Sequence, residues 1–204
     1  MKKQQGLRQK KNTQAKDAFY SAAMQLFRQQ GFEETSVDEI AARAGYSRAT
    51  FFNHFGTKQG VLRHYGKELR NIVEGIVTQS SPETSSLEVL HRVLSAMIEE
   101  AKEHLEDVRL ICTYSVLDPS YITNPTPSRK RIAEILTQLV SQAQKEGRVR
   151  TDLNASDLGF HILLLYQGVV FRLVTTGADI ADTLQHSMWE FILGGLHSDD
   201  PELR

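Results

Sequence analysis

TSVDEIAARAGYSRATFFNHFGTKQGVL, running from Thr35 to Leu62, decides how the rest of this 204-residue chain is read. Ser36 and Glu39 stand at capping-box spacing, so each side chain can satisfy the other residue's orphan backbone N–H where a helix begins. Val37, Ile40, Ala41 and Ala44 then share one face. Gly45 permits a sharp turn. Ser47 is placed to cap a second short helix, Arg48 to about Phe55, and Gly56-Thr57 breaks it before Lys58 opens the next. Two short helices joined by Ala44-Gly45-Tyr46-Ser47 have the arithmetic of a helix-turn-helix, whose second helix enters the DNA major groove. On that helix Ala49, Phe52 and Phe55 are expected inward, and Arg48, Thr50, Asn53 and Tyr46 outward.

The flanks fit this reading. Residues 1–70 hold 13 Lys/Arg against 6 Asp/Glu, a net of +7, whereas residues 71–204 hold 11 against 19, a net of −8. Such an asymmetry points to a localised polyanion-binding surface or to a solubilising basic tail. Residues 1–12, with Lys2, Lys3, Arg8, Lys10 and Lys11 and no hydrophobic period, are expected to be a mobile basic arm, reaching along DNA or simply solvated. Residues 13–57 form the expected DNA-binding domain, opening with a helix capped by Thr13 whose stripe of Ala15, Ala18, Phe19, Ala22, Ala23, Leu26 and Phe27 scaffolds the motif up to Gly31. Residues 58–198 form the expected helical ligand-binding and dimerisation domain. One long helix from Lys58 to about Val77 would belong to both halves.

Further helices are expected from Ser85 (a second capping box with Glu88) to Ala101, from Leu105 to Leu117, and from Ser128 to Glu146. The stretch from 118 to 127, DPSYITNPTP, interrupts them with three of the five prolines. The last two, Asn154 to Thr176 and Asp179 to Leu196, differ. The first is apolar almost all round and must be covered on more than one side. Either it is a fully covered core helix, or a second copy of the chain covers it through an isologous two-fold interface. The dimer reading assigns Phe160, Leu164, Phe171, Leu184, Met188, Phe191 and Ile192 to that interface. The fold class is therefore all-α, about nine helices.

Other chemistries have little support. The longest apolar run, Ile162 to Tyr166, is far short of a membrane span, and the N-terminus lacks the apolar core of a signal peptide, so a cytoplasmic protein without a membrane partner is expected. One cysteine, Cys112, rules out an internal disulfide. Seven histidines include no His-x₃-His pair, and nothing places Cys112, His161 and Asp157 together as a nucleophile set. No catalytic residues, metal or cofactor are expected. A thiol switch at Cys112 and a sequence-indifferent architectural DNA binder remain as rival readings.

The pattern Phe27…Gly31-Phe32…Thr35-Ser36-Val37…Ile40-Ala41…Ala44-Gly45-Tyr46-Ser47…Thr50-Phe51-Phe52-Asn53-His54-Phe55…Lys58…Leu62 resembles the TetR/AcrR family of bacterial transcriptional regulators over about residues 13–65. The remainder resembles that family only in size and helical pattern. The resemblance implies a homodimer on double-stranded operator DNA, with an N-terminal reading domain, a C-terminal pocket for a small-molecule effector, and repression relieved by that effector. Ligand-independent or activating regulation is the alternative. It implies a recognition helix at about Ser47 to Phe52, with Arg48, Thr50 and Asn53 at base edges or phosphates, and His54 and Lys58 at backbone-contacting positions. Two departures stand out. The family commonly has tyrosine where Phe52 stands, which removes a phosphate-bonding hydroxyl, and glycine or proline where Ala49 stands.

The candidate DNA-contacting set is thus Thr35, Ser36, Arg43, Tyr46, Ser47, Arg48, Ala49, Thr50, Asn53, His54 and Lys58. Arg48 suits guanine O6 and N7, or else a phosphate. Thr35 and Ser36 could bond a phosphate, with Ser36 as a pure cap the alternative, and Arg43 reaches the backbone or is solvated. Lys58, at a helix N-terminus, reads as a phosphate clamp. Candidate effector-pocket residues are Met97, Arg109, Tyr114, Tyr121, Tyr166, Gln167 and Phe171, each of which could equally be core. His161 and Arg172 are further polar groups within apolar stretches, and Arg172 could neutralise an acidic ligand or pair across a dimer.

Overall fold

A computed structural model describes residues 2–114 and 125–196, with side chains from Lys11 onward. Tyr121 and residues 118–124 of the proline-rich stretch lie outside the described residues. Among the described residues every regular element is helical, so the fold class is all-α. The chain divides into two compact units, residues 1–65 with 110–119, and residues 66–109 with 120–204. The division falls at Tyr65 rather than at residue 57, and the first unit also takes in the end of a later helix.

The first unit holds α1 (Lys2–Gln30), α2 (Val37–Ala44), α3 (Arg48–Phe55) and α4 (Lys58–Leu62), with the end of α7 (Leu105–Tyr114). Its core is aromatic. Phe19 is fully buried and meets Phe51 edge-on at 5.4 Å and Phe55 at 6.0 Å. Ile40, Val61 and Leu62 are equally buried around it. Gly31 ends α1 at φ +89° and Gly45 ends α2 at φ +75°, left-handed conformations that favour glycine. Two expectations are corrected here. The first 12 residues are not a separate arm: α1 starts at Lys2 and Thr13 lies inside it. Its run of Lys, Gln and Arg without proline has good helix propensity, so the turns beyond the apolar stripe continue the helix. The expected long helix from Lys58 is also two helices. After Leu62 the N–H groups of His64 and Tyr65 bond carbonyls only three residues back, at 3.0 and 3.4 Å, and the backbone tightens before α5 begins at Gly66.

The second unit comprises α5 (Gly66–Gln79), α6 (Ser86–Glu103), the start of α7, α8 (Pro127–Lys145), α9 (Ala155–Thr176), a 3₁₀ turn (Ala178–Ile180) and α10 (Ala181–Leu196). Leu90, Leu94, Met97, Ile98, Leu136 and Leu173 form its most deeply buried layer. Ser85 caps α6 through the Glu88 N–H at 3.3 Å, Thr126 caps α8, and Asn154 caps α9 through the Asp157 N–H at 2.9 Å. α8 and α9 approach closely at Gly159, where a Cβ would lie 2.8 Å from Thr137 Oγ1 and 3.0 Å from the Thr137 backbone nitrogen. α9 is long and apolar enough to cross a membrane by length and composition, with a mean hydropathy of 1.5. Its apolar residues divide in two. Leu158, Ile162, Tyr166, Val169 and Leu173 pack inward, while Phe160, Leu164 and Phe171 stand out in solvent, as does Phe191 of α10.

Candidate nucleic-acid interface

The helix-turn-helix is held by its own side chains. Ser36 Oγ accepts the Glu39 N–H at 3.2 Å, and Glu39 Oε2 accepts the Ser36 N–H at 2.8 Å and hydroxyl at 2.7 Å. The backbone and hydroxyl donors of Ser36 hold the Glu39 carboxyl below the ordinary carboxylate range. Ser47 Oγ accepts the Thr50 N–H at 3.2 Å and lies 2.8 Å from the Thr50 hydroxyl. Both serines are therefore engaged as caps. Thr35 is only 2% exposed and donates its hydroxyl to the Gly31 carbonyl at 2.7 Å, so it braces the α1–α2 corner instead of facing outward.

Lys58 is the largest change from the sequence reading. Its ammonium donates to the carbonyls of Phe32 at 2.5 Å, Thr35 at 3.0 Å and Glu33 at 3.1 Å, and sits 4.4 Å from the centre of the Phe32 ring. A lysine has three donors, and all three are used. The expected phosphate clamp is thus an internal tie between the start of α4 and the α1–α2 loop. These carbonyls belong to the loop after α1, outside any helix ladder, and a cation that gathers them satisfies polar groups of irregular backbone.

The outward surface of α3 carries Tyr46, Arg48, Ala49, Phe52 and Asn53, all exposed, with Thr50 partly covered. Phe52 is corrected: it is 40% exposed, whereas its neighbour Phe51 is fully buried. Phe51 and Phe55, four residues apart, are the pair on the face that meets Phe19, and that turns Phe52 and Ala49 outward. The Arg48 guanidinium lies 5.3 Å from the Phe52 ring centre and donates through Nη1 to Asp38 Oδ2 at 2.5 Å. On α2, Arg43 donates to Gln29 at 3.0 Å. Tyr46 leans on Phe19 with ring centres 5.2 Å apart.

His54 is half-buried near Phe19 and Phe55. Loss of hydration, reinforced by the charge of Lys16, pushes its imidazole below the ordinary 6.5. The folded protein therefore favours neutral His54. Its contribution to stability is complete above pH 6.5 and is lost as the pH falls through the lowered folded value. The melting temperature of the wild type should fall more between pH 7.5 and 5.5 than that of His54→Gln. Parallel curves would show that His54 is not linked to folding.

The expected effector residues differ in their surroundings, and Tyr121 lies outside the described residues. Met97 and Tyr166 are buried together, with the Tyr166 hydroxyl donating to the Met97 carbonyl at 3.4 Å, and Gln167, next to Tyr166 in sequence, is half-buried. Phe171 stands outward, because five residues along α9 turn it about 140° from Tyr166. Arg109 is exposed, 3.8 Å from Glu106. Tyr114 belongs to the first unit and stacks on Phe32 at 4.0 Å. Among the described residues, an apolar groove of about 890 Å³ lies between α9 and α10. Leu164, Leu184, Met188, Phe191 and Ile192 of the expected dimer face line it, and so do His161 and Arg172. Cys112 is buried, and burial pushes its thiol upward, the opposite of a reactive cysteine. Glu100, which is half-buried, and the exposed Glu103 and His104 bring their ligand atoms within 4.8 Å of one another. A search for His pairs overlooks such a mixed helix-spaced trio.

A capped two-helix element with an arginine- and asparagine-bearing outer face, on a helical scaffold, defines a helix-turn-helix DNA-binding transcriptional regulator. Residues 19–65 match the family described as bacterial regulatory proteins, tetR family. Among curated relatives, the HTH-type regulator YvkB of Bacillus subtilis is 22% identical over 187 residues, covering 85% of this chain and 93% of that protein. YerO, also of Bacillus subtilis, is 26% identical over 110 residues, and the chain spans only 36% of its length. Among solved structures, FadR of Thermus thermophilus, a TetR-family transcriptional repressor in complex with lauroyl-CoA, is 26% identical with a TM-score of 0.67, covering 91% of this chain and 97% of that one.

Proposed function

We propose that this regulator is a cytoplasmic repressor that binds a palindromic operator as a homodimer and is released by a small-molecule effector. The observation that carries the DNA part is the outward Arg48 on a helix whose start is fixed by Ser47. Arg48, Asn53 and Thr50 read or position on DNA, Tyr46 and Arg43 steady the backbone, and Ser36, Ser47, Thr35 and Lys58 hold the frame. The dimer is supported by the exposed apolar face of α9 and α10. Two copies would set their recognition helices about 34–36 Å apart, or a multiple of that, on one face of the duplex. The effector works by binding better to a second arrangement of the dimer than to the DNA-bound one. Lauroyl-CoA, the ligand of the Thermus thermophilus relative, makes long-chain acyl thioesters the first compounds to try.

Selection of bound sequences from a random duplex pool tests the reading. The wild type should enrich a palindrome, and Arg48→Ala should relax one base position in each half-site, with a loss of discrimination there of about 1–3 kcal/mol. Added effector should reduce the bound fraction in a repressor, whereas an activator would keep it. A pool that yields no palindrome would remove the operator reading.

A further inference from the structure

We propose that Asp38 is a positioning residue for base recognition, and that it and Phe52 present one edge of the Arg48 guanidinium to the DNA. The inference rests on the reading of Arg48 as a base-contacting residue. Three features carry it. First, Asp38 is rigidly placed on the opening turn of α2, between Ser36 and Glu39, which lock each other in a capping box. Second, its carboxylate meets Arg48 Nη1 at 2.5 Å although both side chains are well exposed, at 65% for Asp38 and 59% for Arg48. Third, Phe52 stands 40% exposed on the same surface, with the guanidinium 5.3 Å from its ring centre.

A long arginine side chain in water samples many rotamers, and fixing it costs entropy when DNA arrives. A carboxylate at one nitrogen and an aromatic ring nearby restrict it beforehand. An arginine has five N–H donors in a planar fork. With Nη1 turned to Asp38, the edge formed by Nε and Nη2 remains for a two-bond contact with guanine O6 and N7. An exposed ion pair contributes little stability by itself. An acidic group beside a phosphate-binding surface also opposes DNA in general. Asp38 therefore weakens contact with any duplex while sharpening the choice of one base, which is the balance expected of a specificity device.

The test uses the full-length protein with Asp38→Asn, Arg48→Ala and the double variant, each assayed by pool selection and by titration of the best wild-type site against the same site with one base pair changed. Asp38→Asn should bind unrelated duplex about twofold to fivefold more tightly. It should also lose roughly threefold to tenfold of the discrimination at the base position that Arg48→Ala relaxes. The double variant should discriminate no worse than Arg48→Ala alone, because the two residues act through one contact. Asp38→Glu, which keeps the charge, should recover part of the preference. The proposal is overturned if Asp38→Asn leaves the selected profile unchanged, alters a different position, or adds fully to Arg48→Ala. A wild type without an enriched palindrome would remove the operator reading and this proposal with it. An enriched wild type with an unaltered Asp38→Asn profile removes the proposal alone.

Discussion

Lys58→Ala is expected to lower the unfolding free energy by about 2–4 kcal/mol, because hydrogen bonds to a charged donor are lost and carbonyls are left unpaired. Its ammonium holds the carbonyls of Phe32, Glu33 and Thr35 in one grip. Urea unfolding followed by circular dichroism measures the loss. Lys58→Met, which keeps an apolar side chain of similar length, should recover only a part, since the three donors and the charge over the Phe32 ring are lost. The rival role as a phosphate contact makes a different forecast. It would leave unfolding unchanged and reduce the dependence of DNA binding on salt by about one phosphate's worth. An unaltered unfolding curve for Lys58→Ala would therefore return Lys58 to the DNA.

A second large effect is expected at the α9–α10 face. Phe191, which lines the apolar groove, is 68% exposed, and Phe160 on α9 is 55% exposed, unusual for phenylalanines. The double substitution Phe160→Glu with Phe191→Glu should turn a dimer into a monomer at micromolar concentration, as read by sedimentation velocity. Helical content should persist, because neither ring is part of the buried layer of its unit. Operator affinity should fall by roughly a hundredfold or more, since each half-site would then be bound without the local concentration supplied by its partner. A wild type that sediments as a monomer would contradict the dimer, and a double variant that remains dimeric would move the interface elsewhere.

The helical class and the reading element were legible because their signals are local. Ser36 with Glu39, Gly45, and Ser47 each fix a backbone conformation through neighbours within a few residues, and each is engaged as the spacing implied. What escaped the sequence were choices decided across the fold. Whether Phe51 or Phe52 turns inward depends on where Phe19 lies, and helical periodicity over eight residues does not separate two adjacent aromatics. Lys58 and Thr35 looked like surface groups because their acceptors lie 23 to 26 residues away or in the turn that ends α1. The effector residues were chosen as polar or aromatic interruptions of apolar stretches. That criterion finds candidates without saying which side of a helix is hollow, and it passed over the groove beside Arg172 as a site in its own right.

The ammonium of Lys58 among its carbonyls resembles the oxygen cages in which proteins hold alkali-metal ions. Here the cation is covalently leashed to the chain. It cannot be dialysed away, exchanged for sodium or drawn off by a chelator, and the occupancy of the cage is set by folding alone. The α1–α2 corner thus gains the stiffness of an ion-bound loop with no demand on the ionic composition of its surroundings, and the frame beneath the reading helix stays the same in the varying salt that governs its grip on DNA.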